Sequence, residues 1–128
     1  MKKYLAFLPA ALDYALVFYL SSKALRVGLP IPSSDKWAHV FEFALLGFLL
    51  SFGFFKTLKT SLRIKVLLTL AIGILLGILD EIHQYFVPSR YSDILDALAD
   101  ATGIGLGILV YCYFDQKKKK ASQERGRV

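Results

Sequence analysis

At 128 residues the chain is one domain at most, and 55% hydrophobic residues with a mean hydropathy of +0.50 exclude an ordinary water-soluble fold, which at this size could not hide so much apolar surface. The net charge of +6 does not describe a nucleic-acid face, because Lys and Arg gather at the ends of apolar segments, where membrane topology requires them. A single cysteine, Cys112, excludes an intrachain disulfide and reads as a small packing residue.

The first apolar stretch covers about residues 4–20. Lys2 and Lys3 precede it as they would in a signal peptide, but Asp13 interrupts the run and no A-x-A cleavage site follows, so it reads as a retained helix. In the connector KALRVGLPIPSSDK, Pro30 and Pro32 stop any helix, and Ser33 or Ser34 can cap the next one. The second stretch covers about 37–55 and is followed by KTLKTSLRIK. The third covers about 64–83. It ends in YFVPSRYSD, where Pro88 breaks the helix and Ser92 or Asp93 can cap a fourth over about 94–114. Each stretch approaches the roughly 20 residues that cross a hydrocarbon layer about 30 Å thick. No period-2 alternation is sustained, and helices satisfy their own backbone donors in lipid. The pattern predicts an all-α protein: a transmembrane four-helix bundle over residues 1–114, then a polar, basic tail at 115–128 whose composition predicts disorder.

If all four helices cross, the N-terminus, the second connector and the tail share one side and carry twelve Lys and Arg, against four on the other side (Lys23, Arg26, Lys36 and Arg90). The positive-inside rule then places both termini in the cytoplasm, with the Lys117–Lys120 run beside anionic headgroups. Seven of the ten acids fall on the outward half of helices two to four: Asp35, Glu42, Asp80, Glu81, Asp93, Asp96 and Asp100. Antiparallel helices bring these distant positions to one end of the bundle.

Helical spacing groups them further. Asp35, His39 and Glu42 share a face of the second helix, Asp80 and Gln84 a face of the third, and Asp96 and Asp100 a face of the fourth. Gly103 and Gly107 continue that last stripe and allow close approach of a neighbouring backbone. A carboxylate facing lipid costs roughly 2.5–3.5 kcal/mol near the bilayer centre, so several on so small a chain are expected to face inward. The cationic partners at this end are Lys36, Arg90, His39 and His83, and the acids outnumber them. Such a surplus takes up protons, binds a cation or stays hydrated. Interhelical contacts and caps can account for Gln84, Ser92, Asp93 and Asp96, and a structural network accounts for Asp35, His39 and Glu42 as well as a site does; Trp37 and Tyr91 read as interfacial anchors. Asp13 lies mid-span, in a pairing or a functional role.

The words DKWAHVFEFALLG at 35–47, DEIHQYFVPSR at 80–90 and DALADATGIGLG at 96–107 resemble, in order and spacing, the VanZ-like family of small membrane proteins. The family pattern falls on Asp35, Lys36 and His39, then on Asp80, Glu81, Gln84, Pro88 and Arg90, then on Asp96, Ala99 and Gly103. YLSSK at 19–23 resembles the family's first-helix ending, so the likeness covers about residues 15–112. Two positions depart from the pattern: Ser89 stands for the Gly before Arg90, and Asp100 for the usual Asn. The resemblance implies a multi-pass protein of the bacterial plasma membrane with a cell-envelope role; the namesake is associated with resistance to the glycopeptide teicoplanin.

Three functions remain open. A binding module would use Asp35, Lys36, His39, Glu42, Asp80, Glu81, Gln84, Arg90, Asp96 and Asp100 to hold an envelope lipid, a cell-wall precursor or a partner protein. Arg90 would grip phosphate or carboxylate there, and His39 would respond to pH near neutrality. An enzyme, a hydrolase or transferase of lipid-linked or phosphorylated substrates, would place a divalent cation on Asp35, His39, Glu42 and Asp80, with His39 and Glu81 as catalytic candidates. A small transporter would use the intramembrane acids and would need an oligomer, because four short helices form little pathway.

Overall fold

The computed structural model describes residues 2–22, 34–87 and 94–127, with main chain alone at 21–22 and 34–35. Those residues form a 3₁₀ turn, Tyr4–Phe7, and four helices: α1 (Leu8–Ser22), α2 (Ser34–Thr57), α3 (Leu62–Tyr85) and α4 (Ile94–Gly126). No strand occurs among them. The expectations for Lys23, Arg26, Pro30, Pro32, Ser33, Pro88, Arg90, Tyr91, Ser92 and Asp93 lie outside the described residues, as do those for the side chains of Ser34 and Asp35.

Three helices, α2, α3 and α4, are long and apolar enough to cross a membrane, while the apolar part of the first, Tyr4–Leu20, is shorter. Two element boundaries differ from the sequence reading, each for a local reason. The first helix does not run as α-helix from Tyr4. Pro9 has no N–H to return to the Leu5 carbonyl, and that carbonyl is taken instead by the Leu8 N–H in a tighter turn. At the other end α4 continues twelve residues past the expected stop at Phe114 and remains helical to Gly126, where a disordered tail was expected. The tail is charged, but Gln, Lys, Ala, Glu and Arg are strong helix formers, and they extend a helix already nucleated by the apolar segment. The Lys119 ammonium lies 3.0 Å from the Asp115 carboxylate one turn earlier, on an exposed face where such pairs contribute a few tenths of a kcal/mol.

The distribution of polarity is the reverse of a soluble protein's. Phe41 and Leu109 are 70% and 67% exposed, while Asp80 and Asp100 are 0% and 1% exposed. On α3 every fully buried residue is small or polar: Thr69, Gly73, Gly77, Asp80, Glu81 and Gln84. Val66, Leu70 and Leu76 pack partly against the core, while Leu67, Leu75, Ile78 and Ile82 face outward, where in lipid they cost nothing.

The closest pairing is between α2 and α4. A Cβ on Gly103 or Gly107 would run into the backbone carbonyls of Val40 and Ala44 respectively, and one on Gly47 would lie 2.6 Å from the Ile104 carbonyl oxygen. Main chain meets main chain at these positions because no side chain intervenes, the close approach expected from the Gly103–Gly107 stripe. Phe43, Leu46 and Leu50 of α2 then interlock with Ile104 and Ile108 of α4 to form the apolar core. The buried hydroxyls of Ser51 and Thr69 donate to the carbonyls of Gly47 and Lys65, one turn earlier, so neither is left unsatisfied. The first helix docks by its aromatic face. Phe7 lies edge-on to Phe54 at 5.0 Å and over Gly53, the Tyr14 hydroxyl donates to the Leu76 carbonyl at 2.9 Å, and Phe18 stacks on His83 at 3.9 Å.

Candidate functional site

Because α2 and α4 run from the same end at which α3 finishes, the polar residues near their termini converge. His39 lies five residues after the start of α2, Asp100 six after the start of α4, and Asp80 and Glu81 within the last six of α3. At 1.5 Å per residue each lies within roughly 9 Å of its helix end, about one to two turns deep.

His39 and Asp100 meet directly: Nδ1 of the imidazole is 2.7 Å from Oδ1 of the carboxylate, and both side chains are buried. The other oxygen of Asp100, Oδ2, is also buried and accepts no hydrogen bond from any described residue. It faces α3, 3.5 Å from where a Cβ on Gly77 would stand, and Gly77 is what gives it room. One turn further along α3, Asp80 and Glu81 turn into the same space. Gln84 Nε2 donates to Asp80 Oδ2 at 3.0 Å, holding that carboxylate from the same helix face. One ligating atom from each of His39, Asp80, Glu81 and Asp100 lies within 4.8 Å of all the others, and all four residues are buried.

The remaining candidates lie around this centre. The Lys36 ammonium is 3.6 Å from the Asp96 carboxylate at the outer edge, with Lys36 partly exposed and Asp96 nearly covered. Glu42, expected beside His39, is half-buried and outside the four-residue set. Three residues along α2 rotate Glu42 about 60° from His39, enough to take it off the facing line. Of the cation ligands expected from sequence, the structure brings together His39 and Asp80 and adds Glu81 and Asp100. The side chain of Asp35, and Arg90 among the expected binding residues, lie outside the described residues. Asp13 is half-buried on α1, its Oδ2 without a hydrogen-bond partner among the described residues.

Sequence reasoning missed Gly77, which admits Asp100 against α3. The signal was present: Gly73, Gly77, Asp80 or Glu81, and Gln84 recur at helical spacing on a helix otherwise packed with Leu and Ile. It also missed a groove of about 490 Å³ at the end of α3 and the start of α4, with walls of Ile78, Ile82, Phe86 and Ile94 and Glu81 reaching its inner side.

Helices of membrane-crossing length, apolar outside and polar within, define a helical membrane protein with an enclosed acidic centre. The chain belongs to the VanZ/LLP1 family, which it matches over residues 3–115. An uncharacterized protein of the fission yeast Schizosaccharomyces pombe, C11E3.10, is 31% identical over 91 residues, covering 70% of this chain and 54% of that protein. The chain thus spans about half the length of that relative. No solved structure matches.

Proposed function

We propose that all four helices cross the bacterial plasma membrane with both termini cytoplasmic, and that the acidic centre near the opposite face binds the polar headgroup of an envelope lipid or lipid-linked cell-wall precursor. By holding it, the protein alters precursor exposure and so susceptibility to glycopeptides such as teicoplanin. The first helix is long enough for this arrangement when its 3₁₀ turn is included: fifteen α residues and four 3₁₀ residues rise about 30 Å together. The observation that carries the reading is the position of Glu81, in the buried polar set and on the wall of an apolar groove. An amphiphile needs both halves of that arrangement: a polar group reaches the centre while its chain lies along Ile78 and Ile82.

The test fills the groove without touching the polar set. Ile82→Trp, exposed and away from the core, is expected to keep expression and fold while reducing co-purified envelope lipid severalfold and abolishing any effect of the gene on teicoplanin sensitivity. Wild-type lipid content and drug sensitivity in that variant would remove the reading. A second reading, a hydrolase or transferase of phosphorylated envelope lipids, is favoured by the approach of His39, Asp80, Glu81 and Asp100 to one point. It requires turnover of a lipid phosphate by purified protein that Glu81→Gln abolishes.

A further inference from the structure

We infer that His39, Asp80, Glu81 and Asp100 form a binding site for one divalent transition cation, Mn²⁺, Fe²⁺ or Zn²⁺. This goes beyond the headgroup reading and does not depend on it.

Three observations converge. The first is the donor set: one imidazole nitrogen and three carboxylate oxygens from three helices, mutually within 4.8 Å. Around a cation with bonds of about 2.1 Å, neighbouring ligands stand about 3 Å apart and opposite ones about 4.2 Å. The 2.7 Å separation of His39 Nδ1 and Asp100 Oδ1 is already close to the neighbouring spacing. The outer bound of the set, 4.8 Å, exceeds the spacing of opposite ligands by about 0.6 Å.

The second observation is independent of composition. Asp100 is 1% exposed, yet its Oδ2 is buried with no hydrogen bond from any described residue and turned toward the face of α3 that carries the other carboxylates. A buried carboxylate oxygen with no donor is costly, and a coordinated cation supplies what it lacks. The third is charge. Buried carboxylates carry negative charge at a cost in a low-dielectric bundle, and a divalent cation bound in place of the proton between His39 and Asp100 neutralises two such charges at once. It also satisfies several oxygens at once. The imidazole chooses the metal class: Mg²⁺ and Ca²⁺ favour all-oxygen shells, whereas Mn²⁺, Fe²⁺ and Zn²⁺ accept mixed nitrogen and oxygen sets. Gln84, bonded to Asp80, orients a ligand from outside the shell, as outer partners of metal sites do.

The experiment uses full-length protein in lipid nanodiscs, stripped with chelator, reloaded separately with Mn²⁺, Zn²⁺ or Mg²⁺, and washed. Elemental analysis is expected to find about one Mn²⁺ or Zn²⁺ per chain and little Mg²⁺. In the Mn²⁺-loaded wild type, pulsed electron paramagnetic resonance is expected to show a directly bonded imidazole nitrogen. Asp100→Asn and His39→Gln are expected to weaken retention at least about tenfold. Wild-type protein that holds no stoichiometric transition metal, or holds one without the nitrogen signature, overturns the site. Since that signature is read on wild-type protein, the result does not depend on a variant folding. Lipid retained by a chain that cannot bind metal overturns the cation site and leaves the headgroup reading standing; metal bound without lipid does the reverse.

Discussion

His39→Ala removes the partner of a carboxylate that is 1% exposed, leaving Asp100 buried with neither oxygen bonded to a described side chain. Breaking a buried charged pair in this one-sided way costs about 3 kcal/mol in metal-free protein. Adding Asp100→Asn to that variant is expected to recover most of the loss, because a neutral amide carries a smaller desolvation penalty than a carboxylate. A double-mutant cycle by reversible unfolding in mixed micelles measures the coupling; additive effects would mean that the two side chains do not interact. The residue types at this centre were legible, since a His and several carboxylates in an apolar chain must be turned inward. Their partners were not. Spacing grouped Asp35 and Glu42 with His39 on one helix face and singled out no residue of another helix to meet it. The choice depends on the rotation of α2 and α4 about their axes, which long-range packing fixes.

That rotation belongs to the helices, and glycine sets it. Gly103 and Gly107 place α4 against the carbonyls of Val40 and Ala44, and in this register Asp100, one turn before Gly103, faces His39. Gly107→Val should separate α2 from α4 and destabilise the protein by about 1–3 kcal/mol, the usual range for overpacking. Gly105 is the internal control: a Cβ there meets nothing within 4 Å, so Gly105→Ala should stabilise the helix by up to about 1 kcal/mol. Equal effects at the two positions, compared by thermal unfolding, would contradict the packing described. Both glycines of the close-contact stripe were readable as such from their spacing. The helical tail was not, because the composition that predicts disorder for a free segment also propagates a helix when an apolar span precedes it, and only the tertiary context decides between them. Pro9 was a missed local signal, since its absent N–H is visible in the sequence without any knowledge of the fold.

Over the whole molecule, the charge distribution gives the headgroup reading a direction in the membrane. Lys56, Lys59, Arg63 and Lys65 lie around the α2–α3 turn, and Lys117–Lys120 on the extension of α4, while the acidic centre is at the opposite ends of the same helices. With the basic ends cytoplasmic, the centre opens outward and can reach a precursor after its export; with the orientation reversed it would reach only lipids of the cytoplasmic leaflet. The single cysteine makes the distinction measurable, because Cys112→Ser gives a background with no thiol. In that background Lys59→Cys and Ser122→Cys are expected to react with a membrane-impermeant maleimide only after cells are permeabilised, and Tyr85→Cys, exposed beside the acidic centre, to react in intact cells. Lys2→Cys reports on the first helix: if that helix crosses, it follows Lys59→Cys, and if it lies along the surface, it follows Tyr85→Cys. Labelling of Lys59→Cys but not Tyr85→Cys in intact cells would invert the protein and exclude exported precursors as its ligands, while the contacts among His39, Asp80, Glu81 and Asp100 would stand unchanged.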